Sequence, residues 1–537
     1  MTLKQNNLEL IPMLDSNNNP DADQNIRNII ENLAEIALNP KSDDAYNVIH
    51  NPDTYEVEIE SSVTLDDYES ITPPAEMELL KKYAEAMQGK KILFVNATAS
   101  GGGVAIMRQT LIHLYKLLGV DAKWYALKPD EPDKKFFDVT KQKFHNVLQG
   151  VAKPNIYLNE DDVEIYESVI RDNVDVLEKP LSEADVIVVD DWQPSGLIPY
   201  IKGTEQNVGI NPSAKILFRD HIHTEGKLMV EPGTPQNITW DFIWNNNQVS
   251  RADAFITHPV DEFVPPNVPD KKVVFMPATA DLLDDLNRPI SEHERNEGIA
   301  FINQQLNDNE NQKPIDLNRP YIVLIARFDP SKGMPQGIES YSKARSKLVE
   351  MDYKEKDIPQ LVVLGNGSID DPDGVPVLAE IMRTRREKYS EIKDDLKVAR
   401  VPHNDLAINA LLKGAKLALQ PSTKEGFESR VSDAIFQGVP VIGSDRGGIP
   451  LQIIEGQSGF VASPYDTDKW AGIMINLMQN TEQYNSLRKT TFDQAKNNNK
   501  IRFTTISNAQ RWLALSLATM QNSNFEGNRH WPEDLKV

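Results

Sequence analysis

The stretch KILFVNATASGGGVAIMRQTLIHLYKLLG, Lys91 to Gly119, sets a short apolar run against a glycine turn and then against apolar residues at helical spacing. A buried strand feeding a helix through such a turn is the unit of a parallel sheet covered by helices. The same alternation continues along the chain toward its C-terminus. ADVIVVDD from Ala184, AKILFRD from Ala214, ADAFITH from Ala252 and KKVVFMP from Lys271 extend one series. A second series holds YIVLIARFD from Tyr321, QLVVLGNGS from Gln360, LKVARVP from Leu396, AKLALQPS from Ala415 and PVIGSD from Pro440. The expected fold is α/β, two Rossmann-like doubly wound parallel-sheet domains facing across a cleft, with ligands beyond the carboxyl ends of the strands.

The boundaries expected are an acidic N-terminal extension over 1–88, an N-terminal domain over 89–290 and a linker over 291–318. A C-terminal domain follows over 319–505, with a terminal helix and tail over 506–537. The extension carries much of the charge: Met1 to Lys90 holds 18 acidic residues against 6 basic ones, in a chain of 537 residues with formal charge −23. Ile29, Ile30, Leu33, Ile36 and Ala37 recur there at helical spacing, so it reads as a solvated cap to which no chemistry is assigned. The overall acidity argues against nucleic-acid and anionic-membrane partners. The absence of cysteine excludes disulfides, thiolate catalysis and cysteine-ligated metal. No apolar run reaches about 18 residues and the start lacks a basic-then-apolar pattern, so a cytoplasmic location is the expectation.

Any anion site in so acidic a chain must be a local basic island. Arg327 and Lys332 stand five apart beyond the strand YIVLI, where a planar guanidinium and a point-charge ammonium could clamp a phosphate or form a plain surface pair. Beyond the strand KLALQ, Glu425-Gly426-Phe427-Glu428 leads to Arg430 and Asp433 at the start of a helix, a mixture suited to sugar hydroxyls. The turn ending in Gly102 and Gly103 could present backbone N–H groups to an anion, although its spacing fits neither a dinucleotide fingerprint nor a phosphate-loop lysine motif. In the first half, Asp191, Trp192 and Gln193 end one strand and Arg219 and His221 end the next, a set that could read a polyol. A metal at His221 and His223 is disfavoured, because they share a face only if the strand continues. His258 reads as structural.

Together, Ala326 to Gly333, Glu425 to Asp433, Gly447-Gly448-Ile449-Pro450 and Glu455 to Phe460 resemble the second domain of retaining glycosyltransferase family four, which has the GT-B architecture. Thr257 to Pro266, Ala278 to Asp281 with Leu286-Asn287, and Gly365 to Gly374 narrow the likeness to its trehalose group, the fungal-type retaining trehalose phosphorylases and the nucleotide-sugar-dependent synthases. That resemblance implies a glucosyl transfer between α,α-trehalose and phosphate, giving α-glucose 1-phosphate and glucose. Glu428 and Arg430 fit the phosphorylase side. It implies His221, Asp191 and Glu425 at the reacting sugar. Arg327, Lys332, Gly102, Gly103, Arg430, Gly426, Phe427, Glu428 and Asp433 would lie around phosphate or donor, and Trp192, Gln193 and Arg219 around the acceptor. It implies no cofactor and no metal, and leaves a homodimer open. Asp433 stands where the family usually has a second Glu, which weighs against a nucleotide donor. A synthase, a related retaining α-glycosyltransferase and a catalytically silent sugar-binding module remain as alternatives.

Overall fold

A computed structural model describes residues 45–99, 103–128, 135–153, 155–366, 374–497 and 503–521. The helical pattern at Ile29–Ala37, Gly102, residues 367–373 of the Gly365–Gly374 string and the tail from 522 onward lie outside them. Two sheets form, as the alternating runs predict. In the first, strands β1 (Tyr46–His50), β2 (Glu56–Ser61), β3 (Lys91–Asn96), β4 (Asp121–Ala126), β5 (Val186–Asp190), β6 (Lys215–Arg219), β7 (Ala254–Thr257) and β8 (Val273–Phe275) lie in the order β1-β2-β4-β3-β5-β6-β7-β8. In the second, β9 (Tyr321–Ile325), β10 (Gln360–Asn366), β11 (Leu396–Val401), β12 (Leu417–Gln420), β13 (Val441–Ser444) and β14 (Gly459–Ala462) lie in the order β11-β10-β9-β12-β13-β14. Valine, isoleucine and leucine fill these strands because helices cover both faces of each sheet.

Strand order decides where the chemistry sits. Strand β9 pairs with β12 in parallel, Ile322 against Leu417, so the second sheet reverses its winding between them. Strand β3 likewise pairs with β5 in the first sheet, Ile92 against Val186. Each reversal opens a crevice beyond the strand ends.

Two expected boundaries are corrected. Residues 45–88 belong to the first lobe rather than to an appended cap: β1 and β2 join its sheet antiparallel, β2 against β4. Val57 and Ile59 are buried while Glu58 and Glu60 face outward. This alternation of acidic and apolar residues is a half-buried strand, second from the sheet's edge, that the charge count hides. The expected linker 291–318 contains a helix, Glu292–Asp308, started by a Ser291 and Glu294 capping box and packed on the helix Asp405–Gly414 of the second lobe. The terminal helix, Thr505–Met520, returns to the first lobe and packs against helices Pro74–Ala86 and Gly103–Leu117. Its approach runs beside the other crossover, where the Ala280 N–H donates to the Phe503 carbonyl at 2.8 Å.

Candidate active site

The loop Arg327–Gly333 leaves β9 and meets the segment after β12 because glycine permits contact there. Gly333 adopts φ +63°, and a Cβ on it would fall 1.9 Å from the Pro421 carbonyl oxygen. This closeness puts Lys332 between two carboxylates. Its Nζ donates to Glu425 Oε2 at 2.6 Å and to Glu428 Oε2 at 2.7 Å. Ser422 Oγ donates to the same Glu425 oxygen at 3.1 Å, and the Gly426 N–H donates to Oε1 at 3.1 Å. Glu428 sits at φ +67° and caps the helix Ser429–Phe436 by accepting from the Arg430 N–H. Non-glycine residues held in that region cluster at functional sites. The Arg430 guanidinium pairs with Asp433 at 3.0 Å, and Asp433 also accepts from Asn287 Nδ2 at 3.2 Å. Arg327 is half-buried and close enough to act electrostatically on both Asp329 and Lys332.

The first lobe supplies a second polar chain. Asp190, fully buried at the end of β5, accepts from Arg108 Nε at 2.5 Å and Nη2 at 3.0 Å, and from His221 Nε2 at 2.5 Å. The Arg108 guanidinium lies over the rings of Phe94 and Trp512, so the terminal helix braces it. Burial, opposed by Asp190 and assisted by Arg219 and Arg108, pushes His221 down to about 4. The imidazole is therefore neutral near pH 7. With its proton on Nε2, Nδ1 carries the lone pair, and that atom is buried without a hydrogen-bond partner among the described residues. His258 Nε2 donates to the His221 carbonyl at 3.0 Å, leaving Nδ1 to accept from Arg219 at 3.3 Å.

The lobes touch at these groups. A Cβ on Gly426 would meet the His221 carbonyl at 2.6 Å and the His258 ring at 3.1 Å. The Phe427 ring stacks on His258 with centroids 5.4 Å apart. Lys141 of the first lobe reaches Asp329 of the second, and Lys424 of the second reaches Glu225 of the first.

Several expected assignments change. Trp192 is 0% exposed and packed against Phe218 and Trp240, so no face remains to stack on a sugar. Arg219 is buried behind His258, which it orients. Phe427 joins Met107, Ala278 and Phe503 in a small apolar cluster between the lobes instead of lining a donor pocket. Asp433 is buried on Arg430 and Asn287. Gln193 is buried, with Oε1 lacking a hydrogen-bond partner among the described residues. Asp191, at φ +81°, accepts from its neighbour's Trp192 N–H and lies 3.6 Å from His145; the carboxylate paired with His221 is Asp190. Gly103 opens its helix, and a Cβ there would meet open space. The two histidines part company, His223 pairing with Glu225. Arg108, Lys141 and Glu225 carry no assignment from the sequence, and Asp190 stands in the strand-end string ADVIVVDD without a role of its own. An arginine inside the apolar helix VAIMRQTLI was the available signal, since a buried cation needs a buried anion.

Burial, with Glu428 beside it and Lys332 opposing, pushes the Glu425 carboxyl from 4.5 up to about 7, while Lys332 holds Glu428 low. Two carboxylates on one ammonium cannot both ionise freely. Between pH 4.5 and about 7 the folded chain keeps a proton on Glu425 that the unfolded chain releases, so this group's contribution to stability falls as pH rises through that window. His221 works in the opposite sense: from 6.5 down to about 4 the unfolded chain takes a proton the folded chain refuses, and stability falls with falling pH. Replacing Glu428 with glutamine removes the like charge. The Glu425 midpoint should then drop from near 7, seen as a downward shift of the acid limb in a pH profile of turnover. An unmoved limb would separate Glu425 from that titration.

Comparison with known proteins agrees with this two-lobed arrangement. Residues 94–265 match the family described as trehalose synthase, N-terminal domain, and residues 306–494 match glycosyl transferases group 1. The chain is 35% identical over 484 residues to trehalose phosphorylase from Pleurotus pulmonarius, covering 88% of this chain and 63% of that one. It is 36% identical over 463 residues to the Grifola frondosa protein of the same name, covering 84% and 60%. The chain thus spans about three-fifths of the length of these fungal relatives. Against trehalose synthase from Pyrococcus horikoshii it is 31% identical over 399 residues, covering 74% of this chain and 84% of that one. Among solved structures, α,α-trehalose 6-phosphate synthase from Burkholderia multivorans superposes with a TM-score of 0.59 at 12% identity, covering 82% and 99%, which shows the GT-B fold. With one sheet matched by each family and its switch-point loops facing across the cleft, this chain belongs to the group 1 glycosyltransferases that carry a trehalose-synthase-type N-terminal domain.

Proposed function

We propose that the chain is a retaining trehalose phosphorylase, interconverting α,α-trehalose and phosphate with α-glucose 1-phosphate and glucose. The observation that carries this reading is Lys332 held between Glu425 and Glu428, with Arg327 and Arg430 close by, opposite the neutral His221 of the other lobe. In the forward direction the glycosidic C1–O bond breaks and a C1–O bond to phosphate forms on the same face of the ring. The leaving oxygen takes the proton of the attacking phosphate, so no hydrolase-type pair of acid and base carboxylates is needed. Arg327 and Lys332 would stabilise the phosphoryl oxygens as charge shifts. Glu425 would accept from hydroxyls of the transferred glucose, and His221 Nδ1 would accept from another. Closure of the lobes would exclude water that could otherwise capture the sugar. A phosphorylated sugar product suits a cytoplasmic enzyme.

A second reading, a nucleotide-sugar-dependent trehalose synthase, is favoured by the broad coverage of the Pyrococcus horikoshii relative. Incubation with trehalose and phosphate alone decides between them. The phosphorylase releases glucose and α-glucose 1-phosphate in equal amounts without nucleotide. Turnover that begins only when a nucleoside diphosphate is added would assign the chain to the synthases.

A further inference from the structure

We propose that Lys141 is a positioning residue that seats the loop Arg327–Gly333 from the opposite lobe, an inference that rests on the phosphorylase reading for the identity of the anion but not for the latch itself. Lys141 lies in the wide helical turn Thr140–His145 of the first lobe and is 5% exposed. Its Nζ donates to Asp329 Oδ2 at 2.7 Å. The other oxygen, Oδ1, accepts from the Ser331 N–H at 2.8 Å and from Ser331 Oγ at 2.6 Å. The Ser331 carbonyl in turn accepts from the Thr423 N–H at 2.7 Å and from Thr423 Oγ1 at 3.1 Å. An unbroken polar chain therefore runs from Lys141 through Asp329 and Ser331 to the segment that carries Glu425. One residue before Glu425, Lys424 makes the reverse contact, to Glu225 of the first lobe. Both halves of the Lys332 cluster are thus tied to the facing lobe by ion pairs of opposite polarity.

The pairing has two consequences. A lysine and an aspartate buried this deeply are tolerated only when matched, so closure in any other register leaves an unpaired charge out of water. Lys141 also cancels the charge of Asp329, which stands two residues from Arg327 and three from Lys332 and would otherwise compete with an incoming anion for both cations. The latch thereby sets the position of the loop and offsets a negative charge that would repel an incoming anion.

The test compares Lys141→Met, Lys141→Arg, Asp329→Asn and the Lys141→Met/Asp329→Asn pair with wild type. Lys143→Met serves as control, because that ammonium is spent within its own lobe on the Tyr157 carbonyl and Asp162. Lys141→Met should raise KM for phosphate roughly 100-fold while KM for trehalose moves far less. Lys141→Arg should recover most of the loss, and the double variant should do better than Lys141→Met alone because the unpaired carboxylate is gone. Solution scattering without substrate should show Lys141→Met more extended than wild type and Lys143→Met unchanged. Equal rises in both KM values, strictly additive single effects, or identical scattering from Lys141→Met and wild type would overturn the latch. Failure of the phosphorylase reading appears elsewhere, as wild type that makes no glucose 1-phosphate. The scattering comparison, and KM for the nucleotide sugar, then judge the latch.

Discussion

Replacing Lys332 with alanine should lower kcat/KM for phosphate roughly a thousandfold, measured as the initial rate of glucose 1-phosphate release. The ammonium is the shared partner of Glu425 and Glu428, and without it two carboxylates face the place where a phosphate must dock. Repulsion then adds to the lost attraction. The fold should tolerate the change better than the activity does, because Glu425, already pushed up to about 7, can take a proton and leave Glu428 as the one carboxylate facing the phosphate. Thermal unfolding alongside the rate measurement separates the two effects. Phosphate kinetics that match wild type would remove Lys332 from the site and, with it, the observation that carries the proposed function.

A comparable loss is expected at Asp190, by a different route. Asp190→Asn removes the charge that accepts from Arg108 and His221 together, leaving the Arg108 cation buried among Phe94 and Trp512 with no anion. Breaking a buried pair in this way costs about 3–5 kcal/mol of stability. The imidazole loses the carboxylate that fixes its proton on Nε2, and turnover should fall roughly 100-fold or more as Nδ1 ceases to be a reliable acceptor. A second variant separates fold from chemistry. Arg108→Met with Asp190→Leu removes both buried charges, so the melting temperature should recover relative to Asp190→Asn while turnover stays low. Recovery of turnover with stability would show that Asp190 serves the core alone.

Much of the fold is legible in the chain because its strands are short, apolar and individually covered on both faces. KILFVNA, ADVIVVDD, YIVLIARFD and AKLALQPS announce themselves by composition. The strands at the margins do not. Strands β1, β2 and β4 mix polar and apolar residues because one face of that side of the sheet meets water, β2 hides its alternation among glutamates, and β14 is only four residues long. The helix Glu292–Asp308 was concealed by a polar composition that its exposed face requires, although Ser291 and Glu294 marked its start.

At the site, residue type and strand-end position single out Arg327, Lys332, Glu425 and His221, while Glu428 stands out only through the family resemblance. Trp192 misled because a tryptophan beside two aspartates reads equally as a stacking platform or a core anchor. Only the packing of Phe218 and Trp240 around it separates those roles.

The sequence by itself determined two parallel-sheet lobes, the strand ends where charge gathers, and a basic island in an acidic chain, since periodicity and local charge are properties of neighbouring residues. Tertiary structure alone decided which carboxylate His221 meets, that Lys332 is shared, and that Lys141 and Asp329 join across 188 positions of chain. Those pairings depend on strand order and on how the lobes close, and burial makes each one obligatory only after the fold has brought the partners out of water.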